Sequence, residues 1–218
     1  GAALTGRAAW LLLAAAWVAV GFQAKMLQAW FIVPAVLVLY VVGAHGPLMR
    51  RLLAALGAGV ASAVLSLSWI VTISLLPRHP YADGTTSGSL FAMVFGYNGA
   101  NRLVPGAIPD AVTPLSVGVQ LQTRFADAEH SPLKLVLPAL TTQIGWLYPL
   151  ALAATILLVV ALVPRTRPRL PQAIRALVPD DAVERGMTAG LVLWIGVTAL
   201  VLTPASVPHA SYFGPIAV

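Results

Sequence analysis

Five uncharged runs divide this chain: residues 8–24, 26–49, 52–77, 135–164 and 186–218. Crossing the hydrocarbon core of a bilayer takes about 20 residues of α-helix, so runs this long and apolar constrain the fold more than any motif. In lipid a helix satisfies its own backbone polar groups, which is why such runs predict helices and not open strands. Composition agrees: 59% of the 218 residues are hydrophobic and 9% are charged, against roughly 25% charged in a soluble domain. Thirteen basic and seven acidic residues cannot coat a water-facing globule of this size. The same hydrophobicity excludes intrinsic disorder. The expected fold class is all-α: a polytopic transmembrane helical bundle with a long outward-facing loop containing short interfacial helices.

The expected spans are about 8–22, 27–42, 52–75, 141–163 and 187–202, with a partial span from 212, in a single transmembrane region covering 1–218. The first is slightly short, at about 26 Å for its uncharged run. The second starts almost directly after Lys25, so the two form a tight hairpin whose tip carries Gln23, Lys25 and Gln28, with Pro34 inside the second span. Alternation across the membrane groups Arg7, Arg50, Arg51, Arg165, Arg167, Arg169, Arg175 and Arg185 on one side. Lys25, Arg78, Arg102, Arg124 and Lys134 fall on the other. The first group is denser and lies in short loops, which marks the cytoplasmic side of a cell (plasma) membrane. The Lys25 tip, the extracytoplasmic loop 78–134 and the turn at His209 then face outward. The net charge of +6 is distributed as the positive-inside rule distributes it, which speaks against a nucleic-acid partner, and the Arg165–Arg175 run also suits anionic membrane lipids. The chain starts without Met and stops a few residues into a new apolar segment, so a piece of a longer membrane protein is expected.

Without cysteine there are no disulfides, thiolate metal sites or cysteine nucleophiles. The four histidines, His45, His79, His130 and His209, lack ligand spacing, so no metal site is expected. In the long loop Leu90, Phe91, Val94 and Phe95 recur at helical spacing after the turn-rich stretch Asp83 to Ser89. That pattern predicts a short interfacial helix capped by Ser87 or Ser89. Tyr97-Asn98-Gly99 reads as a turn, and Pro105 to Pro132 as irregular structure. Asp180, Asp181 and Glu184 suit the N-terminus of the last span by charge–dipole complementarity.

Four groups of residues then carry a resemblance. They are Ala24-Lys25-Met26-Leu27-Gln28-Ala29 at the hairpin tip; Pro80-Tyr81 followed by Val94-Phe95-Gly96-Tyr97-Asn98-Gly99 and Arg102-Leu103; Gln143-Ile144-Gly145-Trp146-Leu147-Tyr148-Pro149; and His209 with Tyr212. In this order the chain resembles bacterial, actinobacterial-type GT-C membrane glycosyltransferases of the protein-mannosyltransferase and aminoarabinose-transferase superfamily (glycosyltransferase family 39-like). The resemblance covers about residues 10 to 218, and Phe-Gly-Tyr-Asn-Gly is its most specific part. It implies an enzyme that moves a sugar from a polyprenyl-phosphate carrier to a lipid, glycan or protein acceptor outside the cell. The catalytic acidic residue it implies belongs to a loop upstream of Gly1. The chain departs from the family pattern at Ser87-Gly88, at Ala92 and at Ser211-Tyr212-Phe213.

Candidate residues are weighed against ordinary readings. A lysine deep in a bilayer costs about 2.5–3.5 kcal/mol, so Lys25 between two spans points to a partner or a job. The resemblance makes it an ammonium facing the donor phosphate, against simple snorkelling to headgroups. Arg102 is a candidate bidentate phosphate ligand, against a solvated loop arginine. Asp83 is a candidate for holding a sugar hydroxyl or a divalent cation, against Asp-Gly turn chemistry; beyond that cation no cofactor is implied. His209 joins the donor-phosphate group, and Tyr97, Asn98 and Tyr212 join Asp83 as candidate substrate contacts, against a headgroup-level His/Tyr anchor. Trp30, Trp69, Trp146 and Trp194 read as belt or packing residues. The alternatives from other classes are a transporter or carrier-lipid translocase and a non-catalytic membrane scaffold.

Overall fold

A computed structural model of the chain describes residues 9–112, 148–163, 172 and 181–205. Every element among the described residues is helical, apart from one isolated antiparallel bridge between Thr85 and Ala111. The principal helices are α1 (Ala9–Lys25), α2 (Val33–Gly43), α3 (Leu48–Ser74), α4 (Tyr148–Leu162) and α5 (Ala182–Leu202). Among the described residues three helical stretches are long and apolar enough to cross a membrane: Ala9–Gly43, Leu48–Ser74 and Ala182–Leu202. The partial span from 212, the Arg165–Arg169 segment and most of the Gln143–Pro149 motif lie outside the described residues.

Ala9–Gly43 is continuous in hydrogen bonding but not in direction. Met26 takes φ 47°, a left-handed conformation uncommon outside glycine, and the 3₁₀ segment Met26–Ile32 follows. A Cβ on Gly21 would lie 3.5 Å from that of Ala29, whereas eight residues of straight helix would separate them by about 12 Å. The chain doubles back here, and the Phe22 and Trp30 rings meet at 5.1 Å. Trp30 Nε1 donates to Ser66 Oγ at 3.0 Å, so this tryptophan is a packing residue. Pro34 stands in the first turn of α2 and not inside a longer helix. Its missing N–H costs nothing in the first turn, where amides have no helical partner.

The chain divides into two compact units. The first holds residues 1–24, 29–66 and 149–197. In it Leu11, Tyr40, Ala44, Ala55 and Ala58 form a buried cluster from α1, the C-terminal end of α2, and α3. Within this unit the buried residues of α3 are small or polar (Ala55, Ala58, Ser62, Ser66), while Leu53, Leu56, Val60 and Val64 are exposed. In lipid, bulky apolar chains lose nothing by facing out, and small ones let backbones approach. Gly186 and Gly190 use that principle. A Cβ on Gly186 would stand 2.5 Å from Leu39 O and 2.8 Å from Gly43 N, and one on Gly190 2.9 Å from Ala35 O. This Gly-x-x-x-Gly face of α5 packs directly on the backbone of α2. Two helix ends are closed by charge. Arg51 Nη1 donates to Val41 O at 2.6 Å and Ala44 O at 3.0 Å, capping α2, and Asp181 Oδ1 accepts from Glu184 N at 2.7 Å at the start of α5. The expected charge–dipole match at α5 is therefore made by Asp181.

Candidate functional site

The second unit holds Lys25–Gln28, residues 67–148 and residues 198–218. Its described part contains the hairpin tip and the polar loop after α3. Thr85 organises the first turn of that loop. Its Oγ1 donates to Ala82 O at 2.7 Å and accepts from Gly88 N at 2.9 Å, and its carbonyl accepts from the Tyr81 hydroxyl at 2.6 Å. Gly84 has φ +78°, and a Cβ there would lie 2.5 Å from Tyr97 Cγ. Only glycine meets both demands, a left-handed backbone and a neighbour's ring in the side-chain space.

Ser89 is the cap that the next helix uses: its Oγ accepts from Ala92 N at 3.2 Å. Ser87, the other expected cap, is committed elsewhere. From Ala92 to Ala100 the helix is π-helical, and Asn98 Nδ2 donates to Met93 O at 3.0 Å. Tyr97-Asn98-Gly99 is thus helical and not a separate turn, and the break comes at Gly99 (φ −137°, ψ −106°). Such wide turns are rare and frequent at functional sites. The two glycines of Phe-Gly-Tyr-Asn-Gly are contact points. A Cβ on Gly96 would run into Ala111 Cβ and lie 3.2 Å from Ile108 Cβ, and one on Gly99 would stand 2.6 Å from Leu27 Cδ1. Gly99 therefore receives the tip that carries Lys25.

Asn101 is fully buried and closes the segment that follows. Its Nδ2 donates to Ala111 O at 2.8 Å and Ile108 O at 3.1 Å, while its Oδ1 accepts from Ile108 N at 2.8 Å. Arg102 lies with its guanidinium carbon 5.4 Å from the centre of the Tyr97 ring, within cation–π reach.

Lys25, Asp83, Tyr97, Asn98 and Arg102 all fall in this unit. Lys25 is exposed beside the tip that meets Gly99; Asp83 is exposed beside the glycine under Tyr97. Asn98 spends an amide proton on Met93, shaping the π-helix. His209 and Tyr212 lie outside the described residues. Among the described residues no group of three His, Asp or Glu side chains is placed to hold a metal ion.

Asp110 is the residue that sequence reasoning missed. Its Oδ1 accepts from Thr86 Oγ1 at 2.7 Å and Ser87 N at 2.8 Å, and its Oδ2 accepts from Ser87 Oγ at 2.6 Å. Hydrogen bonds from the Ser87 and Thr86 side chains hold its carboxyl below the ordinary value of 3.8, outweighing a small desolvation effect. Nothing local announces it, because Ser87 is 23 residues away in sequence.

The fold is a set of apolar helices of membrane-crossing length with one polar, cation-bearing loop unit. Over 100 residues, 45% of this chain, it is 37% identical to a Bacillus subtilis strain 168 protein named "Putative mannosyltransferase YkcB". It is 32% identical, also over 100 residues, to "Putative mannosyltransferase YycA" of the same organism. These matches span 14% and 15% of the two relatives' own lengths. No family model matches the chain, and no solved structure matches it. Over the matched stretch the chain is similar in sequence to these two proteins.

Proposed function

We propose that this chain is part of a GT-C-type membrane glycosyltransferase, mannosyltransferase-like, that takes a sugar from a polyprenyl-phosphate carrier and passes it to an extracytoplasmic acceptor. The observation that carries the reading is the gathering of Lys25, Asp83, Tyr97 and Arg102 in one unit, with Leu27 of the lysine tip seated on Gly99 and Arg102 stacked on Tyr97. The similarity to two proteins named as mannosyltransferases supports the reaction class.

In such a transfer an acceptor hydroxyl oxygen attacks the anomeric carbon, the bond from that carbon to the carrier phosphate oxygen breaks, and the lipid phosphate leaves with the electron pair. The acceptor proton passes to an acidic side chain acting as base. Negative charge grows on the leaving phosphate, and preorganised cations lower the barrier where charge develops. Lys25 and Arg102 take that role, Arg102 by the planar fork that suits phosphate oxygens. In this reading Asp83 holds sugar hydroxyls and Tyr97 the face of the sugar ring.

The test is sugar transfer by the whole protein in membranes, supplied with labelled polyprenyl-phosphate mannose. Lys25→Ala should lower kcat/KM by about a hundredfold or more, the scale of losing one charge-stabilising group. Unchanged transfer in that variant removes Lys25 from the donor site.

A further inference from the structure

The segment 108–112 is a strap with two seats. On one side it pairs with the turn that carries Gly84: Thr86 N donates to Asp110 O at 2.8 Å and Val112 N donates to Gly84 O at 2.9 Å. On the other it packs on the π-helical segment, through Ala111 and Ile108 against Gly96 and through the three hydrogen bonds of Asn101. The turn and the π-helix also meet directly, where Tyr97 occupies the space above Gly84. Tyr97 in turn carries Arg102. The strap therefore sets the distance between the floor of this stack and the helix that bears it. Its only charged side chain, Asp110, makes three further hydrogen bonds to Thr86 and Ser87.

We propose that Asp110 is a positioning residue for the donor platform: it clamps the 108–112 strap to the 84–87 turn, and through Gly84 it fixes Tyr97 and Arg102 in the geometry that binds the carrier phosphate. This rests on the glycosyltransferase reading. Asp110 acts through the 84–87 turn that it holds, so its loss displaces the cation that binds the donor phosphate and stabilises its departure, and the effect falls on kcat/KM for the donor.

Asp110→Ala in the whole membrane-embedded protein should lower kcat/KM for the donor at least about tenfold. Rescue separates positioning from other roles. Thr85 and Ala111 form a non-hydrogen-bonded antiparallel pair, whose Cα atoms lie about 4.5 Å apart, inside the range a disulfide bridges. These 218 residues contain no cysteine, and any elsewhere in the whole protein are first replaced by serine. With Thr85→Cys and Ala111→Cys in place, Asp110→Ala should regain the donor kcat/KM of the cysteine-pair protein when oxidised and lose it on reduction. A donor kcat/KM that Asp110→Ala leaves unchanged overturns the proposal, and so does a formed disulfide that fails to restore it. If the unsubstituted protein transfers no sugar, the glycosyltransferase reading falls. Amide exchange at residues 97–102 then still tests the clamp: it should quicken about tenfold in Asp110→Ala, and unchanged exchange overturns the clamp itself.

Discussion

Single residues in the polar loop are held by partners far away in sequence. Asn101 is fully buried, and its amide closes on the backbone of Ile108 and Ala111. Asn101→Ala strands one buried N–H and two carbonyls, so it should cost about 1–3 kcal/mol, read as a fall in Tm of the purified protein. Asp110 makes a pH prediction. Its carboxyl is held below the ordinary 3.8, so its contribution is fully present above that value and is lost as pH falls through the lowered one. Stability measured against pH should therefore drop in that acid window, and Asp110→Asn should flatten the drop. Sequence reasoning weighed Asp83 as a sugar or cation contact against Asp-Gly turn chemistry, while the hydrogen bonds that close this turn go to Asp110. A turn signature is local; the acceptor that completes this turn arrives from Asp110, 24 residues beyond Thr86.

At the scale of elements, uncharged runs and helical spacing were enough to foresee α1, α2, α3, α5 and the helix after Ser89. Helix details were less legible. Pro34 moved the start of α2 to Val33, and the π-helical turns absorbed Tyr97-Asn98-Gly99. Both depend on where neighbouring backbone allows a close approach. The Gly186/Gly190 face shows the same limit, since the spacing is in the sequence but its partner is not. Gly186→Leu must force α5 off Leu39 and Gly43 and should destabilise by about 1–3 kcal/mol or more. Gly196 has nothing within 4 Å of its Cβ position, so Gly196→Ala should be neutral or stabilise by up to about 1 kcal/mol. Thermal unfolding of the two variants in one detergent compares them directly.

For the whole molecule, the charge distribution predicts sidedness. Asp83 and Arg50 are both exposed, and these 218 residues contain no cysteine, so each can be labelled in a protein cleared of cysteines elsewhere. Asp83→Cys should react with an impermeant maleimide on intact cells, and Arg50→Cys only after permeabilisation. The reverse pattern would overturn the outward placement of the loop. The sequence by itself determined that the chain is helical, apolar enough to cross a membrane, and polar in one long loop. Those properties follow from periodicity and solvation, which each segment carries alone. Only the tertiary structure decided that Leu27 seats the lysine tip on Gly99, that Tyr97 lies over Gly84 beneath Arg102, and that Asp110 ties the strap down. Each of these joins residues distant in the chain through a space just large enough for one of them, and such fits exist only once the backbone has folded.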